Sequence, residues 1–360
     1  MSEYKNKISK LCLENFTVFE KACFDFCPGI NVLIGANGTG KSHILKILYI
    51  LLKQIGKIEN ITLDFIKSVF QQRHIESLIR SGQSNQNAIA TIATIHYDSI
   101  KTNFEIFRTS SNTIGMVSNE YKNCPASLFC FIPAHEFLSI QEGFISAYNK
   151  RELPYDLTCY DLSLALNALP LRRENLTDIQ EILDHLERII TGQKAEQKEI
   201  LTQENGRFYF HLPEGRMDVH IVAEGYRKIA TLYYLLRNGS LTKDSILFWD
   251  EPETNLNPKL IVQLVDVLKK LAALGMQIFI ATHDYLLSYE LSLLAEYPSE
   301  PNIDIKFFAL HKPERTAGVE VEFGRTLAEI ENNPILEEFA AHYDRESALF
   351  HHREKEEQSE

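Results

Sequence analysis

The sequence predicts an α/β fold with a mixed central sheet, an N-terminal antiparallel β part and a helical insert. Three observations carry that expectation. A β-rich run over 30–34 leads into the string Gly35-Ala36-Asn37-Gly38-Thr39-Gly40-Lys41-Ser42, and an apolar-periodic helix over 42–53 follows. An uncharged apolar run over 245–249 ends in the acid pair Asp250-Glu251. Helix, strand and helix come after it, the alternation of a core built on parallel strands.

Taken in order, 8–13 and 22–26 read as strands, closed by the turn residues Pro28-Gly29. A helix is expected over 63–80, a β-hairpin from 88–97 and 104–109, and a short buried strand over 128–132 that ends at Pro133. From Glu136 to Asn205 the pattern turns helical and more polar. Leu176, Ile179, Ile182, Leu183, Leu186, Ile189 and Ile190 form one stripe at helical spacing, either a core face or a partner-facing lid. Strands return at 207–212 and 217–222, and a helix starts near Glu224. Helix (258–274), strand (277–281), helix (285–294), two strands (305–310, 319–323) and a C-terminal helical region complete the chain. The expected division is an N-terminal part (1–135), a helical insert (136–205), a C-terminal part (206–325) and a closing helix with an acidic tail (326–360).

Composition narrows the class. The 360 residues are 44% hydrophobic, which excludes a disordered chain, and 16 Gly with 12 Pro exclude collagen-like sequence. No apolar run is long enough to span a bilayer, and the lysine-bearing start MSEYKNKISK lacks the apolar region of a signal peptide. Cys12, Cys23, Cys27, Cys124, Cys130 and Cys159 form no CxxC pair. Reduced thiols and a cytoplasmic location are therefore expected. The net charge is −12, from 37 basic and 49 acidic residues, which disfavours nucleic acid as partner without excluding a local basic patch.

The string 35–42 satisfies GxxxxGK[ST] in full, in the strand–loop–helix context a phosphate loop requires. Its glycines let successive N–H groups converge on phosphate oxygens at a helix N-terminus. Lys41 sets a charge on the β- and γ-phosphates of ATP, and the Ser42 hydroxyl is a Mg²⁺ ligand. At the end of the apolar strand, Asp250 is placed to hold Mg²⁺ and Glu251 to polarise the attacking water as general base. A plain helix N-cap is the alternative for the acid pair.

This pairing, with Asp250-Glu251-Pro252-Glu253-Thr254-Asn255-Leu256-Asn257-Pro258, resembles the ABC-type ATPase heads of the SMC, RecF and OLD (overcoming lysogenization defect) relatives. The resemblance covers roughly residues 5–58 and 205–325 and implies a P-loop NTPase of ABC-ATPase type. Ala281-Thr282-His283-Asp284 looks like the switch histidine of these heads, which makes His283 a γ-phosphate sensor. Asn255-Leu256-Asn257 corresponds to their D-loop. Either Phe16 or Phe19 supplies an adenine-stacking ring or both belong to the core. The resemblance thus implies Glu251, His283 and Lys41 as catalytic residues and Ser42 with Asp250 as metal ligands. Asn37, Gly38, Thr39, Gly40, Lys41, Ser42 and Gly225 bind nucleotide.

The signature segment departs from the family pattern. Where ABC heads carry a Ser-Gly-Gly-like turn, this chain has Ala223-Glu224-Gly225-Tyr226-Arg227-Lys228. Gly225 keeps the close backbone approach, whereas Ala223 has no hydroxyl. Glu224 either faces the partner's γ-phosphate, where charges about 5 Å apart at an effective dielectric near 20 repel by roughly 3 kcal/mol, or faces solvent as a helix start. Arg227 and Lys228 lie within reach to pair with Glu224 or to meet the phosphate. His135 is the Q-loop candidate, with Gln141 further on.

The insert is too short for an SMC-like coiled coil, and the chain looks more like small OLD-like ATPases associated with anti-phage defence. The residues after His283 hold no Asp-x-Asp pair, so no nuclease activity is expected of this chain alone; Arg345 and His351 are assigned to an exposed amphipathic helix. The implied function is an ATP-hydrolysing switch that dimerises around ATP and controls a separately encoded effector, such as a nuclease. The alternatives are a RecF- or SMC-like DNA-repair ATPase and a transporter ATPase subunit.

Overall fold

A computed structural model describes residues 6–55, 62–80, 89–97, 100–108, 113–119, 128–172, 176–193, 199–313 and 318–357. The expected hairpin ends at 88 and 109, Cys124 and the last three residues of the tail lie outside the described residues. Strands β1 (Ile8–Phe16) and β2 (Phe19–Asp25) form a hairpin, and β3 (Ile30–Gly35) feeds the glycine loop and α1 (Lys41–Gln54). Helix α2 (Leu63–Phe70) is shorter than the pattern predicts. Gln71 turns left-handed (φ 53°) and caps it, so residues 75–78 form a separate 3₁₀ turn. The strands β4 (Ile89–Tyr97), β5 (Ile100–Arg108) and β6 (Thr113–Asn119) complete an antiparallel sheet in the order β2-β1-β4-β5-β6.

The central sheet opens with β7 (Phe129–Ile132). Helices α3 (Phe144–Asn149), α4 (Leu157–Leu166) and α5 (Gln180–Thr191) follow. The polar stretch predicted as wholly helical also holds a strand, β8 (Leu201–Glu204), which pairs with β9 (Arg207–Leu212); β10 (Gly215–Asp218) closes this small sheet. Four residues without apolar alternation carry no strand signal of their own, and β9 supplies the partner. Next come α6 (Glu224–Arg237), β11 (Ile246–Asp250), α7 (Pro258–Ala273), β12 (Gln277–Thr282) and α8 (Tyr285–Glu296). The chain ends in β13 (Ile305–His311), β14 (Glu320–Gly324) and α9 (Pro334–Glu357).

The six-stranded sheet runs β14-β13-β3-β12-β11-β7, parallel except for the antiparallel β13–β14 pair. Its inner strands are buried on both faces, which is why they read as continuous apolar runs. Val32, Trp249 and Ile280 pack toward α5, α6 and α7, while Leu33, Phe248 and Phe279 pack toward α1 and the antiparallel sheet. The stripe from Leu176 to Ile190 is buried throughout, which settles it as a core face. Phe16 and Phe19 are likewise fully buried, against Phe70 and Phe24, so neither is an adenine platform.

One cysteine expectation is overturned. Register pairs Cys12 directly with Cys23 across β1 and β2, and the two form a disulfide. Sequence spacing carries no trace of this, because the pairing is created by the hairpin rather than by a local motif. Among the described residues no helix is long and apolar enough to cross a membrane.

Candidate functional site

The loop between β3 and α1 is shaped by its glycines. Gly40 has φ 94°, and a Cβ there would lie 2.8 Å from Val18 Cγ2 and Phe19 Cε2, so the β1–β2 turn excludes any side chain. Gly38 has φ 80° with open space where its Cβ would be. Thr39 Oγ1 donates to the Ala36 carbonyl at 2.8 Å and tightens the loop, while Asn37 stays exposed. The buried Lys41 ammonium arches back over the loop and donates to Gly35 O (2.6 Å) and Ala36 O (3.0 Å). Burial lowers its pKa, opposed by Glu251, Asp250 and Glu253.

Parallel pairing of β11 between β7 and β12 brings Asp250 to the loop, opposite Ala281. Ser42 Oγ donates to Asp250 Oδ1 at 3.1 Å. Burial raises the Asp250 carboxyl, with the Ser42 hydrogen bond acting against it. A hydroxyl and a carboxylate are hard oxygen donors, the set Mg²⁺ takes beside phosphate and water oxygens. The described residues hold no cluster of three His, Cys, Asp or Glu ligands, so this pair fits a metal shared with a phosphate rather than a protein cage.

Glu251 adopts the left-handed conformation (φ 46°), and its N–H donates to Ala281 O at 2.8 Å. A non-glycine residue in that region is uncommon and turns the side chain out of the strand line. There Glu251 Oε1 lies 3.2 Å from His283 Nδ1, on the loop after β12. Four of the sequence-predicted residues are thus brought into contact as two pairs, Ser42 with Asp250 and Glu251 with His283.

The signature segment is arranged differently from expectation. Helix α6 starts at Glu224 with Ala223 as N-cap and no side-chain cap hydrogen bond. Glu224 is half-buried and its Oε1 accepts from Asn255 Nδ2 at 2.6 Å, so it is tied to the chain's own loop between β11 and α7. Gly225 packs against that same loop, where a Cβ would sit 3.0 Å from Asn255 O. Neither basic neighbour hydrogen-bonds Glu224. Arg227 Nε lies 3.3 Å from the buried carboxylate of Glu136. Lys228 is buried and its ammonium donates to Glu251 O (2.6 Å), Ala134 O (3.1 Å) and Thr254 O (3.4 Å). His135 lies exposed just past β7, while Gln141 is buried and donates to Ser163 O at 2.9 Å within the insert. Arg345 sits exposed on α9, paired with Glu338 at 2.9 Å.

Two further residues join the site: Glu253, which sequence reasoning left without a role, and Lys228, which it placed beside Glu224 or the phosphate. Glu253 is buried and accepts from Thr282 Oγ1 at 2.6 Å. Lys228 braces the turn that carries Glu251. Only the closeness of Glu253 to Glu251 hinted at the first, and nothing local marked the bracing by the second, because its acceptors come from two loops, Ala134 on one and Glu251 with Thr254 on the other.

The family described as "AAA ATPase domain" matches residues 7–205, more than half of the chain. A second, described as "AAA domain, putative AbiEii toxin, Type IV TA system", matches 135–288. No curated protein matches. Among solved structures, an SMC head bound to the C-winged helix domain of ScpA is similar at 14% identity and TM-score 0.55, covering 89% of this chain and 98% of that one. The SMC head domain from Thermotoga maritima (11% identity, 88% and 98% covered) gives a TM-score of 0.48. An SMC head with an extended coiled coil, bound to the C-terminal domain of ScpA derived from Pyrococcus furiosus, gives 0.49 (14% identity, 92% and 99% covered). The first of these likenesses identifies the fold as that of an SMC head.

Proposed function

The chain belongs to the AAA ATPase domain family, and from that premise we propose that it is an ATP-driven dimerising switch for a partner effector. The N–H groups of Asn37, Gly38, Thr39 and Gly40 cradle the phosphates, and Lys41 leaves its loop carbonyls for the β- and γ-phosphates. Ser42 and Asp250 would hold Mg²⁺, which would supply charge neutralisation at the phosphate oxygens. Glu251 accepts the proton of the attacking water, and His283 meets the γ-phosphate beside it. Gly225, at the uncapped start of α6, contacts the nucleotide of the second protomer. The observation that carries the reading is the pairing of Ser42 with Asp250 at 3.1 Å next to Glu251 with His283 at 3.2 Å. One pair suits metal and phosphate, the other suits water activation.

The effector is separately encoded, such as a nuclease, and the setting is anti-phage defence of the OLD-like kind. The AbiEii toxin description matched over 135–288 supports a defence role. The SMC head bound to a ScpA winged-helix domain supports partner docking on such a head. Calorimetry of Lys41→Ala with MgATP tests the site: a severe loss of affinity is expected, and wild-type affinity contradicts the assignment of the loop.

A further inference from the structure

Glu253 has no part in the reading above, yet its surroundings are costly. It is 6% exposed; one oxygen accepts the Thr282 hydroxyl at 2.6 Å, and the other, Oε2, is buried with no hydrogen-bond partner. An unsatisfied buried polar atom costs about 1–3 kcal/mol, and such an atom calls for an explanation. Purely structural packing against Thr282 needs one acceptor, not two.

The donor beside the Glu253 carboxylate is His283 Nδ1, 3.9 Å from Oε1, the oxygen that also accepts Thr282, and 3.2 Å from Glu251 Oε1. A carboxylate only accepts, so the ring nitrogen between the two acids is the one that carries hydrogen. One N–H serves one acceptor well. While Glu251 takes it, an oxygen of the candidate base is occupied and turned toward the histidine instead of toward water. The ring has room to change partners, since the His283 side chain is 47% exposed. Glu253 does not: Thr282 aims it, and Lys228 grips the carbonyls of Glu251 and Thr254 on either side of it.

We propose that Glu253 is a positioning residue that takes the His283 Nδ1–H from Glu251 when nucleotide binds, freeing Glu251 for water and fixing the ring with Nε2 presented away from the acids. The inference rests on Glu251 being the base and His283 the phosphate sensor. It assigns the second acid a function distinct from both.

The test compares Glu253→Met, of similar length but without an acceptor, with Glu253→Gln, which keeps an acceptor oxygen. ATP affinity, set by the phosphate loop, is expected to stay within about twofold in both. Turnover falls about tenfold or more in the Met variant and recovers to within about threefold of wild type in Gln, in proportion to the effect of general bases. In ¹⁵N-histidine spectra a non-hydrolysable ATP analogue is expected to shift the His283 Nδ1–H signal of the wild type, as its acceptor changes, and to leave it at the Glu251-bound position in the Met variant. Wild-type turnover in Glu253→Met overturns the proposal, as does a Gln variant no better than Met. Should the Met variant not fold, Thr282→Val releases the carboxylate while retaining both acids; turnover must drop about threefold at unchanged ATP affinity, and no drop is equally fatal. Undiminished hydrolysis by Glu251→Gln, in contrast, strikes the base assignment itself, whatever the Glu253 variants do.

Discussion

Lys228 illustrates what single side chains contribute here. Its ammonium is 2% exposed and satisfied by three backbone carbonyls, so it fixes the Glu251 turn at the expense of its own hydration. Burial lowers its pKa to about 8 from an ordinary 10.5, with Glu253 and Glu251 pulling upward. Between those values the unfolded chain binds the proton that the folded chain has released, so stability rises with pH across about 8 to 10.5 and the gain is lost as pH falls back from 10.5 to about 8. Chemical denaturation of wild type and Lys228→Met at pH 7 and 10.5 checks this. The wild type is expected to gain about 3 kcal/mol relative to the variant. Glu224 makes the second residue-scale case: bound to Asn255, it adds a negative charge at the start of α6. Glu224→Ser is expected to raise ATP-dependent association and turnover on the order of tenfold, about 1.4 kcal/mol. No change in either leaves Glu224 as a partner of Asn255 alone. The residues of the phosphate loop, Asp250, Glu251 and His283 were legible in the sequence because their chemistry is tied to strand ends and fixed spacing. Glu253 and Lys228 were not, since their meaning lies in contacts between loops far apart in the chain.

At the scale of elements, the β1–β2 turn presses on Gly40 and the loop between β11 and α7 presses on Gly225, so two glycine contacts tie the ends of α1 and α6 to neighbouring loops. Gly225→Asp drives a side chain into Asn255 O; overpacking of this kind costs about 1–3 kcal/mol, and ATP-driven association should vanish with it. Thermal unfolding together with light scattering reads both effects, and a Gly225→Asp protein that still associates with ATP contradicts the role of α6. Trp249, the single tryptophan, is fully buried with its indole N–H unpartnered and faces α6 and α7 from the strand that ends in Asp250. Its emission is expected to change on MgATP binding, and a spectrum unmoved at saturation argues against coupling through β11. Most elements were readable from apolar period and turn residues. The misses include the break at Gln71, where a left-handed residue ended a pattern that continued on paper, the unread strand β6, the strand read over 217–222, which ends at Asp218 and gives way to a 3₁₀ turn, and β8, whose strand character comes from its partner β9.

The described residues build a mixed, mostly parallel sheet held between an antiparallel sheet with α1 on one face and helices on the other, with the candidate site at the strand ends where β3, β11 and β12 release their loops. Its likeness to an SMC head at TM-score 0.55 fits that architecture. In the proposed reading, one chain supplies Lys41, Asp250, Glu251 and His283 to a nucleotide, and Gly225 of a second chain completes the site. The central claim is therefore that ATP itself joins two chains. Glu251→Gln keeps the shape of the base and removes its ability to take a proton, so it should hold ATP without turning it over. Multi-angle light scattering of this variant, with and without MgATP, is the direct measurement: the account predicts that the mass doubles on adding MgATP, and a mass unaffected by MgATP contradicts it.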